Sequence, residues 1–526
     1  MHNGAKLRSE RTLCAKLLRR PWILGSGLAA ICFATAAGLS LANWPVPRVH
    51  DEFSYLLAAD TFAHGRLSNP THPHWQHFET FHVIHLPTYA SKYPPGQGAA
   101  LGLGQWLTGE PLVGAWITSA LAAAATYWLL YGCTTPRLAL LGSCLWLASA
   151  KYQIAWGQSY WGGTLAYLGG ALLFGGALRL RGAARVRDAV AMAVGALVLA
   201  VTRPFEGLAL CVAVGIWLVA SWSRTRAIPV RVLVCHAVLP QAVILAFGLA
   251  GLAAYNKAVA GDPWTLPYSV HQAAYGQTPL FVWQSPPPKP AYRHQALDDF
   301  HSNWELDWHR RQSTVGGWLK TKASMTVLLA EFFFPSILAL GLLCARPLRW
   351  PRLTPIAAIA AATYAASLAA TWNLAHYLAP LGPLLLVVAL AGLRRVDALS
   401  RRRLGGFRAI PALVGLQVAL FAIVAVRVGQ APQRGWHIER ARLSEQLHAA
   451  PRKQLVLVRY GSQHDPLEEW VFNAADIDGA QVVWARSMGA EPDEALRRYF
   501  ADRQAWLLEP DQQRLVRLPR CDRLDN

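Results

Sequence analysis

The sequence is poor in charged residues. They make up 15% of its 526 residues, whereas hydrophobic residues make up 53%. A soluble domain carries about a quarter charged residues, so this balance speaks against an ordinary soluble protein. Long apolar runs alternate with polar segments along the chain. The sequence therefore predicts a membrane protein.

Cysteine pairs at short spacing are also missing. None of the eight cysteines forms a Cys-x-x-Cys pair, so neither a disulfide framework nor a cysteine zinc site is indicated. The net charge of +20 does not indicate a nucleic-acid partner. The basic residues lie between apolar runs, where orientation in a membrane explains them.

Eleven apolar segments, several of them short, are predicted as spanning helices, for which about 20 residues are needed. They lie at 22–44, 111–131, 137–150, 160–178, 188–202, 207–222, 232–254, 326–345, 354–372, 379–393 and 409–427. The short, Gly-rich segment 96–108 is predicted to be interfacial or re-entrant. No sequence repeat is visible. The predicted fold class is an α-helical polytopic membrane protein.

Basic residues predict its orientation. The N-terminus carries Lys6, Arg8, Arg11, Lys16, Arg19 and Arg20, and further clusters lie at 137, 179–187, 224–231, 346–352 and 394–408. With the N-terminus in the cytoplasm, all of them fall on that side, which is the positive-inside pattern. We predict a multi-pass protein of a bacterial inner membrane. The apolar run 22–44 is long for a signal peptide and is interpreted as an anchor.

The tail from residue 430 is predicted to be a small periplasmic α/β domain, which leaves 1–429 as the transmembrane domain. Strands are predicted at 453–460, 480–485 and 505–510, and helices at 465–475 and 491–503. Alternating strands and helices favour a parallel or mixed sheet. The tail contains no Gly-rich phosphate loop and no nucleophile motif, so docking or stabilisation is its simplest role.

The first outer loop begins with Asp51 and Glu52, at the start of a predicted interfacial helix. One interpretation makes Asp51 the N-cap of this helix, with Glu52 complementing the helix dipole. The other gives the carboxylates a catalytic role. Capping and catalysis do not exclude one another.

The same loop is rich in histidine: His72, His74, His77, His82 and His85 lie around Glu79. Histidines can bind a divalent metal, so these five are candidate ligands. Their spacing matches no standard zinc motif, and a polar interfacial loop is the alternative. The loop ends in Lys92-Tyr93-Pro94-Pro95, a cation and a phenol at a rigid turn. Lysine is a natural phosphate binder.

Further candidates lie in short outer turns and in a long loop at about 255–325. Arg203 and Glu206 flank a Pro-containing turn, and could bind substrate or form an ion pair with each other. The long loop could act as a lid. The candidates for a substrate pocket are Glu79, Tyr160, Trp161, Glu206, Arg293, His376 and Tyr377.

These features resemble the GT-C glycosyltransferases, in particular the bacterial branch related to protein O-mannosyltransferases and lipid A aminoarabinose transferases. The resemblance covers about residues 20–395 and is carried by Asp51-Glu52 and by Lys92-Tyr93-Pro94-Pro95. It implies that Asp51 is the catalytic base, with Glu52 as a second carboxylate. Lys92, Tyr93 and Arg203 would then bind the phosphate of the donor.

The resemblance further implies an inverting enzyme that uses a polyprenyl-phosphate-linked sugar in the lipid bilayer. The acceptor would be a glycan, a lipid or a protein, and nucleic acid is not expected. No cofactor is certain, with a divalent metal the one candidate. The alternatives are a transporter or flippase of lipid-linked saccharide and a surface-polysaccharide polymerase or ligase. Polar groups concentrated on the outer side and the lack of a repeat favour the enzyme.

Overall fold

The computed structural model describes residues 20–225, 228–335, 337–346, 350, 352–404 and 406–519. Several basic residues used to predict the orientation lie outside the described residues: Lys6, Arg8, Arg11, Lys16, Arg19, Arg226 and Arg349. The described chain is mostly helical and carries a small sheet near its C-terminus. The predicted fold class is thereby confirmed.

The chain divides into two compact units. The first consists of the chain up to Trp44 together with Leu112–Gly251 and Thr314–Ala431. The second consists of Pro45–Pro111, Leu252–Ser313 and Pro432–Asn526. The second unit therefore joins the tail to the two stretches that the sequence predicts as outer loops, and the sequence-based division at residue 429 stays a prediction.

The first unit is helical. Its helices are Pro21–Ala42, Leu112–Cys133, Pro136–Leu147, Thr164–Leu180, Val186–Ala200, Pro204–Thr225, Val230–Leu233, Leu239–Ala260 (which runs on into the second unit), Val315–Phe333, Ile337–Cys344, Thr354–Ser367, Gly382–Arg403 and Ala409–Gln430. All eleven predicted segments are helical over most of their length. Pro21, Pro136 and Pro204 each stand at the first position of a helix, where a missing N–H costs nothing.

Six helices among the described residues are long and apolar enough to cross a membrane, and the chain is therefore a multi-pass membrane protein. A seventh span is obtained if Val315–Phe333 and Ile337–Cys344, bent by 113°, are taken together. The predicted eleven spans are not reached. Four predicted segments form helices of only 12 to 17 residues. Such helices are about 18 to 26 Å long, against about 30 Å of hydrocarbon.

Burial separates central from peripheral helices in the first unit. The apolar windows of Leu112–Cys133 and Ala379–Arg403 are 67% and 72% buried, whereas that of Val230–Ala260 is 6% buried. The last window, which runs through the helices Val230–Leu233 and Leu239–Ala260, thus packs little against the rest of the described chain. Small residues allow close packing in the centre: a Cβ atom on Gly392 would lie 1.7 Å from the carbonyl oxygen of Gly341.

The second unit mixes short helices and strands. Its helices are His50–Ala63, Pro95–Thr108, Pro267–Tyr275, Gln295–Asp298, Leu306–Arg310, Trp436–His448 and Ala490–Tyr499. The helix His50–Ala63 packs on Pro95–Thr108, where a Cβ atom on Gly98 would lie 2.5 Å from that of Ala58. Two short antiparallel strands, β1 (Val83–Ile84) and β2 (Ala90–Ser91), lie between these helices in the sequence.

The tail forms a mixed sheet of four strands: β3 (Gln454–Val458), β4 (Val482–Arg486), β5 (Gln504–Glu509) and β6 (Arg514–Arg517). The order is β4-β3-β5-β6, with β3 parallel to β4 and β5, and β6 antiparallel to β5. This confirms three predicted strands and the predicted helix at 491–503. The strand β6 and the helix Trp436–His448 were not predicted.

The predicted helix at 465–475 is wrong, because this stretch is irregular. The carboxylate of Glu469 accepts hydrogen bonds from the N–H of Val471 (2.7 Å) and from the hydroxyl of Tyr460 (2.5 Å), and it pairs with Arg486. The carboxylate of Glu469 thus stabilises an irregular, buried segment, and no helix begins there.

The tail and the first outer loop share one hydrophobic core. Leu57, Phe78 and Tyr89 of the loop pack with residues of β3 and β4. The guanidinium of Arg486 donates from Nε to the carbonyl of Glu79 (2.6 Å) and pairs with Glu469, and both ionic side chains are buried. This packing is what a docking or stabilising domain requires.

Arg486→Leu tests this ion pair. The substitution leaves the carboxylate of Glu469 buried without its cation, and we expect a loss of about 3–5 kcal/mol of stability. The tail should then be cut by trypsin near the exposed Arg434 at concentrations that spare the wild type. The matched control is Arg514→Leu in β6, whose exposed side chain should change stability by less than about 0.5 kcal/mol. Equal protease resistance of both variants would contradict the assignment.

Candidate functional site

The helix His50–Ala63 begins two residues earlier than an N-cap at Asp51 predicts, and this changes which carboxylate caps it. The carboxylate of Glu52 turns back and accepts hydrogen bonds from the N–H groups of Arg48 (2.9 Å) and Val49 (3.3 Å). The residue at the N-cap position is Val49. The prediction of Asp51 as the N-cap is therefore wrong, since Glu52, at the third helical position, occupies the capping role.

Asp51 is thereby available for other contacts. One carboxylate oxygen accepts a hydrogen bond of 2.5 Å from the hydroxyl of Tyr93, and the other lies 3.8 Å from Nε2 of His82. The side chain keeps 21% of its surface exposed. A carboxylate accepts up to four hydrogen bonds, so Asp51 can receive a further hydroxyl group.

Lys92 lies in the same cluster and is buried. Its ammonium lies 5.3 Å from the ring centroid of Tyr93 and 5.4 Å from that of Tyr268. None of the ion pairs within the described part of the chain includes Lys92. Burial lowers the pKa of Lys92, while the charges of Glu305 and Asp51 oppose this change. A buried ammonium that faces rings is a ready partner for an anion.

The backbone of His82 holds the cluster together. Its carbonyl accepts hydrogen bonds from the N–H of Lys92 (3.1 Å) and from the hydroxyl of Ser54 (2.7 Å). His82 has a φ of 62°, which is rare for a residue other than glycine. Such a conformation persists only where the surroundings enforce it. The site is therefore built on a fixed backbone.

Buried histidines surround the cluster, and sequence analysis did not single out most of them. The rings of His50 and His271 lie 5.7 Å and 6.1 Å from that of His82. Burial lowers the pKa of His50 to about 3 and holds the pKa values of His82 and His271 well below the usual one. These rings are neutral at physiological pH. They add polar groups without adding positive charge beside Lys92.

Glu305 was also missed. Its carboxylate is bonded to Nδ1 of His301 (2.9 Å). Burial alone would raise the pKa of Glu305, but the hydrogen bond and charge of His301, with the charge of Lys92, lower it overall. No sequence motif predicts that Glu305 acts on Lys92, because Glu305 lies in the long loop, more than two hundred positions after Lys92.

The structure places Glu79 in a separate network. Its carboxylate accepts hydrogen bonds from the hydroxyl of Tyr275 (2.9 Å) and from Nη1 of Arg293 (3.2 Å), and it is buried. Burial would raise the pKa of Glu79, but contacts with His294, Tyr275 and Arg293 lower it. Of the predicted pocket residues, Glu79 and Arg293 are thus brought together.

The five predicted metal ligands do not converge. His72 contacts Asp478 (3.2 Å), His77 bonds to the carbonyl of Arg486 (2.8 Å), and His82 faces Asp51. His74 uses its N–H to bond to Nδ1 of His72, and His85 stacks near Tyr89. The described residues contain no group of three or more His, Cys, Asp or Glu side chains that could hold a metal ion. We therefore propose no metal site.

The remaining candidates belong to the first unit, where four of them form a chain of contacts. The ring of Trp161 lies 4.4 Å from that of His376, which lies 4.6 Å from that of Tyr377. The guanidinium of Arg203 lies 4.5 Å from the Tyr377 ring. Tyr160 and Glu206 are buried. The pairing of Arg203 with Glu206, weighed from the sequence, stays a prediction.

Lys322, which sequence analysis missed, anchors the turn that carries His376 and Tyr377. Its buried ammonium donates to the carbonyl of Ala370 (2.5 Å) and to the side-chain oxygen of Asn373. Asn373 in turn donates to the carbonyl of Ser367 (2.5 Å). This lysine is a positioning residue for the aromatic cluster.

No protein-family profile and no curated protein matches the chain. Among solved structures it is similar to ArnT from Cupriavidus metallidurans in the apo state, with 13% identity, 93% of each chain covered and a TM-score of 0.49. It is also similar to the Archaeoglobus fulgidus oligosaccharyltransferase tethered with an acceptor peptide, with 11% identity, 83% of this chain and 62% of that chain covered, and a TM-score of 0.38.

The archaeal oligosaccharyltransferase AglB from Archaeoglobus fulgidus, in complex with an inhibitory peptide and a dolichol-phosphate, gives 11% identity, 83% of this chain and 62% of that chain covered, and a TM-score of 0.37. The three TM-scores lie below 0.5, so these similarities do not establish the function of this chain.

Substitution of Glu52 tests the assignment of the cap. Glu52→Ala leaves two N–H groups at the helix start without their acceptor, and we expect a loss of about 0.5–2 kcal/mol. Glu52→Gln keeps an acceptor oxygen and should lose less. Asp51→Asn keeps an acceptor oxygen for the hydroxyl of Tyr93, and it should lower the unfolding temperature of the purified protein less than Glu52→Ala does. A larger loss from Asp51→Asn than from Glu52→Ala would reverse the assignment.

Proposed function

We propose that the chain is an integral membrane glycosyltransferase. It moves a sugar from a polyprenyl-phosphate donor to an acceptor hydroxyl on the periplasmic side of a bacterial inner membrane. The observation that carries the proposal is the group formed by Asp51, Tyr93 and Lys92. Tyr93 links the other two, because its hydroxyl bonds to Asp51 and its ring faces the ammonium of Lys92.

Each member of this group has a role in the reaction. The acceptor oxygen attacks the anomeric carbon, and its proton passes to the free lone pairs of Asp51. The bond from the anomeric carbon to the phosphate oxygen breaks, and the negative charge goes to the departing polyprenyl phosphate. The ammonium of Lys92 stabilises this charge in a buried setting, where it acts more strongly than in water. A single displacement of this kind inverts the anomeric configuration.

Two groups assist without reacting. Tyr93 donates to Asp51 and so fixes the carboxylate while one oxygen stays available for the acceptor. Glu52 caps the helix that carries Asp51, and in this proposal it is a positioning residue. Arg203, which the family resemblance suggests as a second phosphate cation, remains a prediction. The proposed reaction requires no divalent metal.

Asp51→Asn tests the base. The assay uses purified protein in nanodiscs, a panel of polyprenyl-phosphate monosaccharides, total membrane extract as acceptor, and mass spectrometry of released polyprenyl phosphate. Loss of the base should lower the release by about 10²–10⁴-fold. The neighbour Glu52→Gln is the matched control and should keep most of the activity. Near-wild-type release by Asp51→Asn would exclude Asp51 as the base.

Lys92→Met tests the donor site. Loss of a charged hydrogen-bond partner should weaken the binding of polyprenyl phosphate by about 10- to 100-fold. The control is Lys257→Met, an exposed lysine at the end of a membrane helix, which should bind as the wild type does. Equal weakening in both variants would indicate general attraction of anionic lipid. Binding of lipid-linked sugars by the wild type without any consumption would favour the transporter.

A further inference from the structure

One membrane helix ends against the first outer loop. The helix Leu239–Ala260 belongs to a candidate span, and its last turns lie in the second unit. The hydroxyl of Ser68 donates a hydrogen bond to the carbonyl of Ala258 (2.8 Å). The hydroxyl of Thr88 donates to the carbonyl of Val259 (2.8 Å). Two stretches of the loop thus hold the end of the helix.

The same helix end packs against the strands that lead to Lys92. Tyr255 and Val259 of the helix share a small hydrophobic core with Ile84 of β1 and Ala90 of β2. Lys92 follows β2 directly in the chain. Packed interiors have few voids and transmit displacements from one element to the next. The depth of the helix end in the membrane therefore determines the depth of Lys92.

Trp264 is held in the open by the turn that follows this helix. The carboxylate of Asp262 accepts hydrogen bonds from the N–H of Trp264 (3.0 Å) and from the hydroxyl of Thr265 (2.8 Å). The side chain of Asn256 donates to the carbonyl of Pro263 (3.1 Å). Trp264 is nevertheless 85% exposed. The backbone around this large ring is thus fixed, while the ring itself is left uncovered by the described chain.

Exposed apolar side chains continue from the span into this turn. Phe247 and Leu249 of the span are exposed, and so is Leu266, two residues after Trp264. Trp264 itself comes four residues after the end of the helix. Tryptophan is enriched where membrane spans meet water, because its ring is apolar and its N–H bonds to water or headgroups. The lipid around the span is therefore the partner that fits this ring.

We propose that Trp264 anchors the end of this span in the phospholipid headgroup layer, and that the hairpin of β1 and β2 passes this depth on to Lys92. The inference rests on the proposed function, in which Lys92 binds the phosphate of the donor. The phosphate of a polyprenyl lipid lies in the headgroup layer, because its chain stays in the hydrocarbon. Trp264 thus keeps the ammonium of Lys92 at the depth where that phosphate arrives.

Photocrosslinking tests the lipid contact without any assay of activity. p-Benzoylphenylalanine replaces Trp264 in the full-length protein or, as the control, Gln512, which is exposed in the tail. The protein is irradiated in nanodiscs of phosphatidylethanolamine and phosphatidylglycerol, and its peptides are analysed by mass spectrometry. We expect phospholipid adducts at position 264 and only background at position 512. Absence of adducts at 264, equal labelling of both positions, or crosslinks from 264 to a second copy of the chain would overturn the proposal.

Binding of two phosphates of different chain length tests the link to Lys92. Trp264→Ser should weaken the binding of a long-chain polyprenyl phosphate in nanodiscs by about three- to tenfold, because small displacements in depth have modest costs. It should not weaken the binding of a short-chain, water-soluble prenyl phosphate, which does not depend on membrane depth. Trp264→Tyr, which keeps an interfacial ring, should bind both ligands as the wild type does.

Trp283→Ser is the matched control, since Trp283 is an exposed tryptophan of the same long loop. Equal weakening by Trp283→Ser, or weakening of the short-chain ligand by Trp264→Ser, would contradict the role in depth. Lys92→Met should weaken both ligands. If it weakens neither, the proposed donor site fails and the link to Lys92 fails with it, whereas lipid adducts at position 264 would still establish the membrane contact.

Discussion

The carbonyl oxygen of His82 is the point on which the site depends. It accepts hydrogen bonds from the hydroxyl of Ser54, in the helix that carries Asp51, and from the N–H of Lys92, beside the strand β2. These two bonds fix the proposed base and the proposed phosphate cation to one backbone group. The positive φ of His82 turns this carbonyl toward both donors while its ring faces Asp51. A strained backbone thus coordinates groups that are distant in sequence.

The charges of the residues around this carbonyl complement the buried ammonium of Lys92. A buried ammonium is expensive unless carboxylates act on it, and Glu305 and Asp51 do so without forming a close ion pair. The surrounding histidines are kept neutral by burial, so they do not compete with Lys92 for a phosphate. In the separate network around Glu79, the carboxylate of Glu79 and the guanidinium of Arg293 form an ion pair, so their charges cancel. Among the groups named here, the ammonium of Lys92 is therefore the cation that an anionic leaving group would meet.

The sequence allowed the helical fold, the tail strands and the approximate place of the first-loop carboxylates to be predicted, because periodicity and composition are local signals. It could not give the pairing of Tyr93 with Asp51, 42 residues away, or of Tyr275 with Glu79, 196 residues away. The cap was misassigned because a Glu at the third helical position can turn back and cap a helix, as an Asp at the N-cap position can. The predicted number of eleven spans is not confirmed, since apolar composition does not fix helix length.

The packing of the tail gives the site its rigidity. Arg486 donates to the carbonyl of Glu79, and the carboxylate of Asp60 accepts from the N–H of Ala475 (2.7 Å). The first bond joins the tail to the loop at Glu79, and the second joins it to the helix His50–Ala63, which carries the proposed base. The first outer loop, which contains Asp60 and Glu79, is long and would be mobile without these two hydrogen bonds. Since catalysis requires groups held to within a fraction of an ångström, a domain without chemistry of its own can still determine the rate.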